Sequence, residues 1–247
     1  MNDSIDIKLI RSLSQKKYRD EAGLFVAEGE KMVQEALNSR FEVVRVIRKD
    51  EVGEKVMSRI SMTSSPSPCL AVIRKPADSE IPEERINEYV AGRGLYLALD
   101  SIRDPGNLGT IIRTADWFGI EAVFASPDTV DIFNPKVVQS TMGAIFRVRF
   151  HYCSIPALCK GVKAAGGNVY GTFLDGQEIY SQKLNAGAES PALIITGNES
   201  NGISAKVGAE VTDRLYIPSY PRDQRGSESL NAAVATAITL SEFRRRS

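Results

Sequence analysis

Leu99-Asp100-Ser101-Ile102-Arg103-Asp104-Pro105-Gly106-Asn107-Leu108-Gly109-Thr110-Ile111-Ile112-Arg113-Thr114-Ala115-Asp116-Trp117-Phe118-Gly119-Ile120-Glu121-Ala122-Val123-Phe124-Ala125 joins the end of an apolar strand to a turn rich in Asp, Pro, Gly and Asn. An amphipathic helix with an arginine expected on its buried side follows, then a second strand. This is one β-α-β unit with its polar residues at the strand's C-terminal end, where open α/β sheets bind ligands. A small-molecule site is expected there.

Outward from this unit, apolar strands are predicted near 95–99, 121–125, 168–174, 192–196 and 214–217, alternating with helices at about 108–118, 135–141, 155–166 and 229–245. Such alternation predicts an α/β fold with a mostly parallel sheet. The last helix, from Leu230-Asn231-Ala232-Ala233-Val234 onward, is apolar nearly all round and should pack on more than one side before turning basic at Arg244-Arg245-Arg246. On the N-terminal side, a helix at about 29–39, a strand at 42–48, a short helix at 51–59 and a strand at 69–74 make a small α/β module. Between Pro76 and Gly94 the chain is polar, acidic and broken by two prolines, which reads as a linker or solvated helix. The expected division is 1–75, a linker at 76–93, and 94–247.

With 247 residues and 43% hydrophobic content, the chain is long enough for two cores. Lys plus Arg (31) equals Asp plus Glu (31), so any nucleic-acid contact must come from local clusters. Cys69, Cys153 and Cys159 lack metal-ligand spacing and His151 stands alone, so buried reduced thiols and no metal are expected. Met1-Asn2-Asp3-Ser4 does not open a leader, and no run approaches membrane-spanning length, which predicts a cytoplasmic protein without membrane contact.

Three strand-end loops carry the candidate chemistry. In the first, Asn107 is placed to cap the helix that holds Arg113, and both are close enough to face one pocket; a cap plus a surface arginine explains the same spacing. The second, Thr196-Gly197-Asn198-Glu199-Ser200-Asn201-Gly202, allows a tight turn and presents a carboxylate at a strand end, as many β-turns do. The third runs from Ile217-Pro218 to Ser229-Leu230-Asn231, where Ser227 or Ser229 would cap the final helix by default. Gly106-Asn107-Leu108-Gly109 has the wrong spacing for a dinucleotide loop and no Walker loop is present, which disfavours NAD and ATP.

Taken together, the loops resemble the three signature motifs of the SpoU-type, or TrmH-like, RNA ribose 2′-O-methyltransferases of the SPOUT superfamily. The motifs are Asp104-Pro105-x-Asn107-x-Gly109-x-x-x-Arg113-Thr114-Ala115, Gly197-Asn198-Glu199-x-x-Gly202, and Ile217-Pro218 with Ser229-Leu230-Asn231. The resemblance spans 95–243 in order. It implies a C-terminal trefoil knot, S-adenosylmethionine as methyl donor, and a homodimer with an active site shared between subunits. It also implies a catalytic set of Asn107, Arg113, Glu199, Ser229 and Asn231, with Thr196, Gly197, Asn198, Gly202, Ile217 and Leu230 at the cofactor.

Arg11-Ser12-Leu13-x5-Arg19 and Gly23-Leu24-Phe25-Val26-x-Glu28-Gly29-Glu30-Lys31 are similar to the L30e-like RNA-binding domain that accompanies rRNA-modifying relatives. Lys8, Arg11, Lys16, Lys17 and Arg19 form a stretch without an acid, suited to phosphates; a solvated helix face has the same composition. The implied substrate is 23S rRNA, with tRNA as the alternative, and a non-catalytic RNA-binding or ribosome-assembly protein on the same fold as the competing class. Retention of all five catalytic-set residues argues against that class, since a binder has no need for all five. Between Pro218 and Ser229 this chain is longer than many relatives, and Arg222, Asp223, Gln224 and Arg225 there suit either RNA or solvent.

Overall fold

Leu95–Leu99 and Ala192–Ile195 are apolar at every position because they form the two central strands of a parallel sheet covered on both faces. The structure is a computed structural model and describes residues 6–90, 92–221 and 229–245. In chain order its elements are α1 (Ile7–Ser12), α2 (Lys16–Ala22), β1 (Leu24–Glu28), α3 (Glu30–Leu37), β2 (Val43–Arg48), α4 (Lys49–Val52), α5 (Glu54–Ile60), β3 (Cys69–Arg74), α6 (Ile86–Val90), β4 (Gly94–Asp100), α7 (Pro105–Trp117) and β5 (Val123–Ala125). They continue through α8 (Pro135–Ser140), β6 (Phe150–Tyr152), α9 (Ile155–Ala164), β7 (Asn168–Glu178), β8 (Pro191–Gly197), α10 (Ala205–Gly208), β9 (Asp213–Tyr216) and α11 (Ala232–Arg245).

The chain divides into two compact units, one of residues up to Ala77 with Asp131–Arg147, the other of Asp78–Val130 with Val148 onward. The first holds an antiparallel sheet of order β1-β3-β2, and the second a parallel sheet of order β6-β5-β4-β8-β7-β9.

Two parts of the expected division differ from this arrangement. The 76–93 stretch is not a solvated linker. Tyr152 donates its N–H to the Ser79 carbonyl and accepts from the Ile81 N–H, both at 2.8 Å, and Ile81, Ile86 and Val90 are buried with Leu158, Cys159 and Val162 of α9. Its prolines punctuate the chain, but the apolar residues between the acids drive it onto the core, at roughly 1.5–3 kcal/mol per buried aliphatic side chain. Residues 131–147, expected within the C-terminal domain, instead belong to the first unit. Phe133 and Phe146 pack with Phe25 and Phe41, with Phe25–Phe133 centroids 4.8 Å apart.

Arg19, expected at RNA phosphates, is also withdrawn from solvent. Its side chain is 2% exposed and donates from Nε and Nη2 to Asp131 Oδ2 at 3.0 and 2.5 Å, and from Nη1 to the Leu13 carbonyl at 2.8 Å. Arg11, Lys16 and Lys17 are exposed, but the stretch is less basic than it reads. Lys16 pairs with Asp20 at 2.6 Å and Lys17 with Glu21 at 3.9 Å, one helical turn onward.

Glu28, from the second N-terminal motif, is buried. It accepts from Ser61 Oγ (2.7 Å), Met62 N (2.8 Å), Thr63 Oγ1 (3.0 Å) and Ser67 N (3.1 Å), tying down the loop before β3. All three cysteines are buried thiols, and burial pushes Cys153 and Cys159 up to about 12. His151 is buried too, with Nδ1 on the Asp78 carbonyl at 2.6 Å. No helix among the described residues is long and apolar enough to cross a membrane, and no group of three or more His, Cys, Asp or Glu is placed to hold a metal.

Candidate active site

Asp104 caps α7: its Oδ1 accepts the Asn107 N–H at 2.7 Å, with Pro105 at the first helical position. The cap is therefore not Asn107, as spacing suggested, because a cap must precede the first turn. The Asn107 side chain is free to face the C-terminal edge of the sheet. There Asn107 Nδ2 donates to Glu199 Oε1 at 2.8 Å, and Asn107 Oδ1 accepts from Asn231 Nδ2 at 2.9 Å. Asn231 Oδ1 in turn accepts the N–H groups of Ala233 (3.0 Å) and Val234 (3.3 Å), so Asn231, and not Ser229, caps α11.

Direction is built into this chain of bonds. Backbone N–H groups at the start of α11 can only donate, which forces the Asn231 carbonyl toward the helix and its amide toward Asn107. The Asn107 carbonyl must then face Asn231 and its amide Glu199. A helix N-terminus, two carboxamides and a carboxylate thus form one ordered relay across all three motif loops.

Among the described residues, Glu199 bonds neither to Arg113 nor to a backbone amide. Its second oxygen lies 3.3 Å from Asn198 Nδ2, and Asn198 Nδ2 also donates to the Ser101 carbonyl at 2.7 Å. Asn198 Oδ1 accepts from Ser200 N (2.9 Å) and Asn201 N (3.1 Å), closing the loop as an Asx turn. The Asn198 side chain, expected at the cofactor, is committed to its own loop and to the Ser101 carbonyl.

The two motif glycines serve the same turn. Gly202 has a φ of +65° and exchanges two backbone hydrogen bonds with Asn198 at 2.9 Å, and a Cβ on Gly197 would sit 2.2 Å from the Gly202 carbonyl carbon. Thr196 is also spoken for. Thr236 Oγ1 donates to the Ala232 carbonyl at 2.7 Å, so the buried Thr196 hydroxyl 2.9 Å away donates to Thr236 and braces β8 against α11.

Arg113 is exposed, contrary to the buried side expected, and its side chain makes no hydrogen bond or ion pair among the described residues. The reason is the helix period. Leu108, Ile111, Ile112 and Ala115 take the core-facing side of α7, leaving Gly106, Thr110, Arg113 and Trp117 as a solvent stripe. Ile217 is half-buried at the end of β9, and Leu230, 47% exposed, directly precedes the Asn231 cap. Ser229 is exposed, with no hydrogen bond among the described residues. Arg222, Asp223, Gln224, Arg225 and Ser227 lie outside the described residues.

The polar turn after β5 was missed by sequence reading. Ser126 and Asp128 there bond to Ser101 after β4, a contact that a strand-end Ser-x-Asp beside a neighbouring strand could have signalled.

The model of the SpoU rRNA Methylase family matches residues 94–241, and that of the MRM3-like substrate binding domain matches residues 5–53. The 23S rRNA (guanosine(2553)-2′-O)-methyltransferase RlmP of Bacillus subtilis is 34% identical over 253 residues, covering 96% of this chain and 95% of that protein. A TrmH-family protein from Porphyromonas gingivalis superposes with a TM-score of 0.85 at 39% identity over 100% of both chains. The AdoMet-bound rRNA methyltransferase of Sinorhizobium meliloti does so with a TM-score of 0.84 at 31% identity, over 99% of this chain and 96% of that one. The motif loops that meet through Glu199, Asn107 and Asn231 fall inside the matched region, and the chain belongs to the SpoU rRNA methylase family.

Proposed function

We propose that this protein transfers a methyl group from S-adenosylmethionine to a ribose 2′-hydroxyl of RNA, with large-subunit ribosomal RNA as substrate. The observation that carries this reading is the relay from Glu199 through Asn107 to Asn231, which orders one group from each motif loop at one edge of the sheet. A binding protein has no use for such a fixed set of donors and acceptors. The ribosomal substrate is supported by the 34% identity to a 23S rRNA methyltransferase over nearly the whole chain and by the substrate-binding model on residues 5–53.

The residues suit such a donor. The 197–202 turn brings backbone to the strand end with little side-chain cover, and Leu230 and Ile217 leave apolar surface open for a ring to cover. When bound, S-adenosylmethionine supplies an electrophilic methyl carbon, so that an O–C bond forms as the S–C bond breaks and the hydroxyl proton leaves to solvent or a base. Gly197, Asn198, Ile217 and Leu230 would hold it, the first two through backbone groups. Glu199 and the two asparagines orient the loops and leave little to reorganise during reaction. Arg113 donates hydrogen bonds to the developing alkoxide and to a neighbouring phosphate. A guanidinium remains protonated at neutral pH and is matched to both anions.

The Arg113 side chain has no partner among the described residues of its own chain, and the same stripe of α7 carries Trp117, which is 85% exposed. Helix α11, packed against α7, exposes Val234 at 48% and, just before it, Leu230. These exposed apolar side chains on two packed helices support a homodimer in this reading, with the Arg113 face of α7 brought to the seam. Trp117→Glu is expected to convert a dimer to a monomer in sedimentation velocity and to abolish turnover. A wild-type protein that is fully active as a monomer would refute the dimer. Three unpaired buried thiols accord with a reducing cytoplasm as the place of action.

The activity test is incorporation of labelled methyl from S-adenosylmethionine into rRNA and tRNA transcripts, followed by nucleoside analysis. A 2′-O-methyl nucleoside in 23S rRNA is expected. Label in tRNA alone would transfer the reading to tRNA, and label in neither, with no donor binding by calorimetry, would end it.

A further inference from the structure

The turn after β4 holds a second polar cluster. Ser101 has a φ of +62°, a left-handed conformation that a residue with a Cβ keeps only where its surroundings impose it. Those surroundings are Ser126 and Asp128, on the turn after the neighbouring strand β5. The Ser101 N–H donates to Ser126 Oγ at 2.9 Å, Ser101 Oγ donates to Asp128 Oδ2 at 2.7 Å, and Ser126 Oγ donates to Asp128 Oδ1 at 2.6 Å. Each Asp128 oxygen therefore accepts one serine hydroxyl, and Arg103 Nη2 adds a bond to Oδ2 at 2.7 Å. Burial works against the charge on Asp128, but bonds from Ser101 and Ser126 and the charge of Arg103 outweigh it and hold the carboxyl below its usual range. The carboxylate is thus a standing acceptor at neutral pH.

The left-handed turn matters because of where the next group points. The Ser101 carbonyl accepts Asn198 Nδ2 at 2.7 Å, which anchors the 198–202 loop to the end of β4. Asn198 uses its remaining capacity inside that loop and on Glu199 Oε2. A flip of Ser101 into an ordinary right-handed or extended conformation would turn this carbonyl away. Asn198 would lose its anchor outside the loop, and Glu199 would be left positioned by Asn107 alone.

We infer that Asp128 is a positioning residue for methyl transfer: by clamping Ser101 in its left-handed conformation, it fixes the carbonyl that anchors Asn198 and thereby sets Glu199 in the relay. The kinetic consequence rests on the methyl-transfer reading; the structural consequence does not.

Two measurements on the full-length protein test it: amide hydrogen exchange over residues 197–203, and steady-state and single-turnover methyl transfer. Asp128→Ala should accelerate exchange in that loop and lower kcat by about 10- to 100-fold, the scale of a sub-ångström to 1 Å misplacement, with little change in either KM. Ser101→Ala keeps the Cβ and removes the clamped hydroxyl, and should do the same. Ser101→Gly added to Asp128→Ala should restore both loop protection and most of the turnover, since glycine holds this φ without a clamp.

Wild-type exchange in Asp128→Ala overturns the inference, as does a glycine double variant no better than the single. So does a raised KM at unchanged kcat, which would signal a substrate contact. Thermal unfolding controls for stability, and if Asp128→Ala does not fold, Ser101→Ala carries the same expectation. A wild-type protein that methylates no RNA would sink the functional reading, while the exchange pattern would still decide the clamp.

Discussion

Arg113→Lys should lower the single-turnover rate of methyl transfer by about 10²–10³-fold, the usual cost of removing one donor aimed at a developing oxyanion. It should leave stability within about 0.5 kcal/mol, as for other surface substitutions. The separation between the two effects follows from the site. Arg113 is exposed on α7 and bonded to nothing else among the described residues, so its replacement removes no packing and leaves no buried group unsatisfied. Lysine keeps the charge but replaces a planar fork of donors with a single point, which cannot serve an alkoxide and a phosphate at once. The pH–rate profile of the variant under single-turnover conditions is the measurement. A depressed rate with an unshifted profile supports donation by Arg113, a shifted profile would mean it moves the proton, and an unchanged rate would exclude both roles.

Arg19→Ala should destabilise the first unit by about 3–5 kcal/mol, because it strands a buried carboxylate. Arg19 and Asp131 side chains are 2% and 8% exposed, and no solvent is at hand to replace the guanidinium. The Phe133 N–H, 3.0 Å from the other Asp131 oxygen, ties the same carboxylate to the aromatic cluster. Removing both charges as Arg19→Met with Asp131→Leu should recover part of the loss, since an apolar pair tolerates burial better than a lone charge. Denaturant unfolding checks both variants. An Arg19→Ala protein of wild-type stability but weakened, less salt-dependent RNA binding would reinstate Arg19 at the phosphates. By contrast, Lys16→Ala and Lys17→Ala touch exposed pairs worth little to the fold.

The strands and helices were legible where their signals are local. The continuous apolar runs at 95–99 and 192–195 lie at the centre of the sheet, and the alternation of strands with helices marked that sheet as parallel. β1 and β6 went unread, the first because its Leu-Phe-Val-Ala-Glu was read as motif and the second because three residues show no period. The 76–93 stretch misled because composition averages over residues, whereas burial is decided residue by residue. Ile81, Ile86 and Val90 outweigh the acids around them once a core is there to receive them.

By itself the sequence determined most of the elements, the family and the set of side chains at the strand ends, because periodicity, turn chemistry and motif spacing are all properties of neighbouring residues. Only the tertiary structure decided which of those side chains meet. Asn107 and Glu199 are 92 residues apart in the chain and 2.8 Å apart in space, and Asn231 joins them from 124 residues beyond Asn107. The same holds for Arg19, whose partner lies 112 residues away in a segment that packs with the N-terminal unit. A charge or carboxamide carries no local mark of its partner. Whether it faces solvent, a substrate or a buried counter-charge is fixed by the packing of apolar residues elsewhere, which brings the backbone positions together and leaves the polar groups to pair where they land.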